Sequence, residues 1–169
     1  MEPHFSFETA MTTYSGQNVG AAKDDCVTKD AKQGTLIAVL TTTFITSLIL
    51  IFEKQLMGIF TATTELVNLS RRMMGIIAAG YFAMAVTQSL SGVMRGAGDT
   101  MTPMWISLFT TIVVRVPVAY GIAHFTKSAT FPNGRQECIF ISLLCSWLIG
   151  AIMTTISYIR GKWKNKELR

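Results

Sequence analysis

Asp99 sits in the string Arg95-Gly96-Ala97-Gly98-Asp99-Thr100, beside a long apolar run, where an aspartate could act in hydrolysis as a general acid or base. That reaction needs a second carboxylate sharing the proton, and no apolar run of this chain contains one. Pro103 follows at a helix start, so the carboxylate suits a helix N-terminus and Thr100 is the expected cap. The glycines do not form a phosphate cradle, since no Gly-Lys-Ser/Thr follows and no strand precedes. Gln88 offers an amide inside an apolar run, suited to substrate contact or to an interhelical hydrogen bond. Arg115 lies mid-run with Pro117 two residues on. Holding that charge in lipid costs about 2.5–3.5 kcal/mol on an insertion scale, so Arg115 should face the interior, a cavity, a carboxylate or a carbonyl freed by Pro117. Glu8 is the one candidate acid at membrane depth, with an interfacial glutamate as the simpler reading. His4 and His124 are isolated. Cys26, Cys138 and Cys145 have no metal-ligand spacing, and the last two are too far apart along a helix for a disulfide, so no metal site is expected.

The elements that must position these groups follow from charge. The chain has 169 residues, 50% hydrophobic and 15% charged, with a mean hydropathy of +0.39, too apolar for a typical soluble domain of this size. No charge falls in residues 34–52, 73–94 or 138–159, and each window is long enough to cross about 30 Å of hydrocarbon at about 1.5 Å per residue. A fourth span, about 102–126, carries Arg115 near its centre. The expected fold is therefore all-α: a polytopic membrane protein with a bundle over 34–160, its helices at about 34–52, 65–94, 102–126 and 137–159. Residues 5–22 look like the lower end of a further helix, so 1–33 reads as a helix end plus a cytoplasmic loop, and 161–169 as a basic tail. Disorder, a disulfide-stapled module and a collagen-like rod are excluded.

Nine Lys and Arg gather on one side (Lys23, Lys29, Lys32, Arg95 and five in the tail) and five on the other (Lys54, Arg71, Arg72, Lys127, Arg135). The richer side, with the C-terminus, is expected to be cytoplasmic. The net charge of +5 is thus largely juxtamembrane and does not point to nucleic acid. Gly75, Ala79, Ala83, Thr87 and Ser91 recur every four residues, a small-residue stripe expected to let another helix approach.

Two cytoplasmic strings carry a resemblance. Gly16-Gln17-Asn18-Val19-Gly20-Ala21, after Ala10-Met11-Thr12-Thr13-Tyr14, resembles the end of the second helix of a half in the multidrug and toxic compound extrusion (MATE) family. Gly92-Val93-Met94-Arg95-Gly96-Ala97-Gly98-Asp99-Thr100 with Pro103 resembles that family's turn between the fourth and fifth helices of a half. Phe60-Thr61 and Arg115-Val116-Pro117-Val118-Ala119-Tyr120 agree in order. The resemblance implies a partial C-terminal lobe, from the tail of the eighth helix through the twelfth, of a multi-pass plasma-membrane antiporter. Such a protein is not an enzyme and needs no cofactor. It exports drugs, organic cations or other small amphipathic substrates in exchange for sodium ions or protons by alternating access. Gln88, Tyr81 and Met84 would line the cavity, Arg115 and Pro117 would order the lobe, and Gly16, Gln17, Asn18, Gly20, Arg95, Gly96, Gly98 and Asp99 would form hinges or packing corners. Glu8 is the weak coupling-ion candidate; otherwise that site lies in the absent half or uses backbone oxygens. The partners would be the bilayer and the missing N-terminal lobe, without which the chain should not transport. Other readings are a lipid-linked sugar flippase, a non-catalytic partner subunit and, last, an intramembrane aspartyl protease.

Overall fold

The computed structural model describes residues 3–60, 64–126 and 137–161, and every regular element among them is helical. The polar loop from 127 and the basic tail from 162 lie outside the described residues. In chain order the helices are α1 (Pro3–Gly20), α2 (Asp24–Ile51), α3 (Glu53–Phe60), α4 (Thr64–Gly96), α5 (Met101–Phe109), α6 (Arg115–Phe125) and α7 (Glu137–Ile159), with a π-helical turn, Thr110–Val114, joining α5 to α6. Four stretches are long and apolar enough to cross a membrane: Asp25–Ile51, Leu69–Gly96, Met101–Phe125 and Cys138–Ile159.

The packing is that of a lipid-solvated protein. Leu36, Leu40, Phe44, Trp105, Leu108, Ile112 and Ile152 are exposed, while Ser15, Thr42, Ser89, Ser91, Ser142, Ser146 and Thr154 are buried. In hydrocarbon, large apolar side chains gain little from leaving the lipid, whereas small hydroxyl residues let helices approach and can bond to their own backbone. Thr87 donates to Ala83 O at 2.9 Å, Ser146 to Ser142 O at 2.9 Å and Thr155 to Ala151 O at 2.7 Å.

Helix α4 is the axis of the fold, touching α1, α2 and α3 on one side and α5 and α7 on the other. The main apolar cluster lies at the α1/α2/α4 end, where Met11, Val27, Ala31, Val93, Met94 and Ala97 close together with Val19 and Tyr158 against them. At the opposite end, buried Glu53 meets exposed Arg71 of α4 at 3.7 Å. The Thr126 hydroxyl lies 3.2 Å from the Cys138 sulfur, linking the end of α6 to the start of α7.

The break in the third span falls before Pro117 rather than at it. Pro117 has no N–H for the carbonyl of Val113, four residues back, so an ordinary turn cannot close there. The helix widens in the preceding turn, and the Arg115 N–H bonds to Thr110 O, five residues back.

Candidate functional site

Two environments meet on α4. The first is a close crossing with α1. A Cβ added to Gly92 would stand 2.7 Å from Glu8 O and 3.0 Å from the Met11 Cβ, and one added to Gly96 would stand 2.7 Å from the Ser15 Cβ and 3.0 Å from the Gly16 amide nitrogen. Only the bare backbone of glycine permits this approach. Met11 also covers Gly34 of α2, its Cε 2.7 Å from where a Cβ would be. The crossing is locked electrostatically: the Arg95 guanidinium bonds to Glu8 Oε1, with the Glu8 side chain 8% exposed and that of Arg95 40%.

The small-residue stripe does not form this contact. Nothing lies within 4 Å of a Cβ built on Gly75, and Ala79 is exposed. With about 3.6 residues per turn, each four-residue step over-rotates by about 40°. The stripe therefore winds about 160° around the helix between residues 75 and 91, instead of holding one face. Close approach falls to Gly92, Gly96 and Gly80, the last under the Trp147 ring, whose Cζ3 would be 2.7 Å from an added Cβ.

The second environment is a cleft of about 160 Å³ between α4, α5, the π-helical turn and α7. Helix α4 contributes Met84, Thr87, Gln88, Ser91 and Arg95, a run at spacings of three, one, three and four that does keep to one face. Pro103, Ile106, Ser107, Thr110 and Thr111 form the second wall, and Ser146, Trp147, Gly150 and Thr154 of α7 the third. The Thr110 hydroxyl donates to Ile106 O at 2.9 Å, and like Thr87 and Ser146 it keeps its lone pairs free to accept. Thr154 is fully buried, and its hydroxyl has no hydrogen-bond partner among the described residues. The lining includes no carboxylate.

Gln88 and Met84 thus share the cleft, but Tyr81 does not line it. Tyr81 faces an apolar groove with Met57, Met73 and Met74, and it meets the cleft only through Trp147, stacked at a centroid distance of 5.8 Å and an interplanar angle of 24°. Arg115 is partly exposed at the start of α6, outside the cleft, and its side chain has no bond or ion pair among the described residues. Sequence reasoning missed Thr154, Ser146, Trp147 and Thr110; small hydroxyl residues in a span are too common to stand out until their helices are placed.

The two motif turns have one architecture. Helix α4 closes with Asp99 N–H to Met94 O (2.8 Å) and Gly98 N–H to Arg95 O (3.0 Å), and α1 with Lys23 N–H to Asn18 O (2.9 Å) and Ala22 N–H to Val19 O (2.9 Å). Both closures need a left-handed residue. Gly98 supplies it at φ 85°, but in the first turn Ala22 does so at φ 54°, not Gly20. Asn18 donates to Tyr14 O at 3.2 Å and to Asp30 Oδ2 at 3.0 Å, tying α1 to α2, while Gln17 is exposed. Asp99 is buried and accepts from the Thr102 N–H (3.3 Å) and hydroxyl (2.7 Å). Asp99 therefore caps α5; Thr100, the expected cap, makes no side-chain capping bond.

The described residues thus form a helical membrane-spanning arrangement with a polar cleft and two left-handed corners. Residues 1–121 match the MatE family, to which the chain therefore belongs. It is 24% identical to the "Probable multidrug resistance protein NorM" of Thermotoga maritima over 98% of this chain and 34% of that protein. It is 25% identical to the "Probable multidrug resistance protein YoeA" of Bacillus subtilis over the same shares. A NorM of Mannheimia succiniciproducens is 30% identical over 70% of this chain and 26% of its own length. The chain spans about a third of the length of the first two relatives. No solved structure matches.

Proposed function

We propose that this chain is the C-terminal part of a secondary active multidrug exporter that exchanges amphipathic or cationic compounds for sodium ions or protons by alternating access. The observation that carries the reading is the family match, which extends over most of the chain and aligns it with proteins named for multidrug resistance. Its C-terminus is cytoplasmic, in keeping with the Lys and Arg bias. At about 160 Å³, the cleft is smaller than the roughly 300–1,000 Å³ of drug-sized sites, so substrate binding requires the N-terminal lobe as well. In that reading Gln88 and Met84 face the interior, and Tyr81 acts through Trp147. Arg115 and Pro117 set the course of the third span, and the two motif turns are packing corners. Glu8 serves the ion pair with Arg95, and the coupling ion is held elsewhere.

The test is dye efflux from cells lacking their own exporters, expressing the complete protein, with the sodium and proton gradients collapsed separately. Loss of efflux on collapsing one gradient identifies the coupling ion; efflux equal to that of empty cells removes the reading. Gln88→Leu should reduce efflux severalfold at an unchanged amount of protein in the membrane. Arg115→Ala should lower efflux or expression, and if it leaves both intact Arg115 has no assigned role.

A further inference from the structure

We infer that the cleft between α4, α5 and α7 is a water-filled pocket inside the lobe, which opens at the Arg95 end and stops near the bilayer midplane against Met84 and Trp147. The inference goes beyond the transport reading and does not depend on which ion is coupled.

Depth comes first. At about 1.5 Å per residue, Ser146 lies roughly 20 Å along α7 from its end at Ile159, and Met84 roughly 18 Å along α4 from its end at Gly96. Both side chains line the cleft, as does Arg95 one residue before the end of α4. The cleft therefore runs from one membrane surface to about the middle of a roughly 30 Å hydrocarbon layer. Lipid tails cannot satisfy such a wall, because nine of the fourteen lining residues are polar or charged.

Chemistry then selects the occupant. The Thr87, Thr110 and Ser146 hydroxyls donate to their own helices, which leaves acceptor lone pairs for the cleft. The Thr154 hydroxyl is fully buried without a partner among the described residues, and the Gln88 amide lines the same cleft. An orphaned buried hydroxyl carries an uncompensated desolvation cost. A small molecule that both donates and accepts removes that cost. A bare cation is disfavoured by the absence of a lining carboxylate and by Arg95 at the mouth. Water meets both conditions, and at about 30 Å³ per molecule a volume of about 160 Å³ holds a short connected cluster. The Trp147 ring packs against Gly80 and stacks on Tyr81, closing the inner end with aromatic surface.

The experiment uses the complete protein in membranes, with Cys26, Cys138, Cys145 and any other cysteine replaced. Single cysteines are introduced at Ser91, Ser146 and Thr154, at lipid-facing Leu148 and at Arg160. The probe is 2-sulfonatoethyl methanethiosulfonate, a membrane-impermeant anion whose sulfenyl sulfur is attacked by the cysteine thiolate, forming a mixed disulfide and releasing methanesulfinate; it therefore reports water at the cysteine sulfur. Ser91→Cys and Ser146→Cys are near-isosteric, so folding is retained if Thr154→Cys disturbs it. The expected result is reaction at Ser91→Cys and Ser146→Cys at least about tenfold faster than at Leu148→Cys, since thiolate forms only where water reaches, and from the side on which Arg160→Cys reacts. That pattern on the extracellular side supports the pocket and overturns only the cytoplasmic orientation. Silence at Ser91 and Ser146 while Arg160→Cys reacts, or reaction only from the opposite side, overturns the pocket.

Discussion

The two faces of α4 solve opposite problems with neighbouring residues. Toward α1 the helix presents Gly92 and Gly96, and backbone meets backbone around Met11 and the Glu8–Arg95 pair. Toward α5 and α7 it presents Gln88 and Ser91, and the walls stand apart around a polar cleft. Rotation by one residue, about 100°, separates a dry contact from a polar one. A membrane helix can thus be fixed on one side while its other side stays open, with no change in overall hydropathy.

The largest effect is expected from thickening the close face of α4. Gly96→Val would push a branched side chain into Ser15 and the Gly16 backbone and should destabilise the protein by about 3 kcal/mol or more. Ser91→Val, on the open face, should cost far less. Unfolding of the complete protein in mild detergent checks both, and equal effects would erase the distinction.

The ion pair gives a smaller, asymmetric effect. Arg95→Ala leaves the buried Glu8 carboxylate without its partner and should cost about 3 kcal/mol. Glu8→Ala leaves a guanidinium that is 40% exposed and reaches water, so about 1 kcal/mol is expected. Melting temperatures of the two variants should fall in that order, and the reverse order would show that Glu8 is not the buried partner.

The two corners carry the smallest effects. Gly98→Ala should destabilise by about 1 kcal/mol, because a Cβ strains the left-handed conformation. Ala22→Gly should stabilise by roughly 0.5 kcal/mol by relieving the same strain at the other corner. Denaturation midpoints moving in opposite directions would confirm that the two turns share one closure.

The membrane spans were legible because exclusion of charge is a property of a linear window and needs no knowledge of neighbours. Gln88 stood out as an amide inside an uncharged window, whereas Met84 entered only through the family resemblance; both line the cleft. The packing face of α4 was not, since a four-residue repeat drifts around the helix and only the placement of α1 shows that Gly92 and Gly96 are the contact. Thr154 was invisible: a threonine near the end of an apolar helix is ordinary until every possible partner is seen to point elsewhere. The cap moved from Thr100 to Asp99 because the left-handed Gly98 turns the aspartate back over the start of α5.

The π-helical turn makes the third span sensitive to length in a way its hydropathy conceals. One turn of Thr110–Val114 holds an extra residue, so α6 is set round from the direction α5 alone would give it. Deleting a single residue there would shorten an apolar segment that remains long enough to cross the bilayer. It would also swing all of α6 by about 100° against α5, and Arg115 and Tyr120 would trade surroundings with their neighbours. For this span, an indel of one residue is a register error, even where every substitution at the same positions is silent.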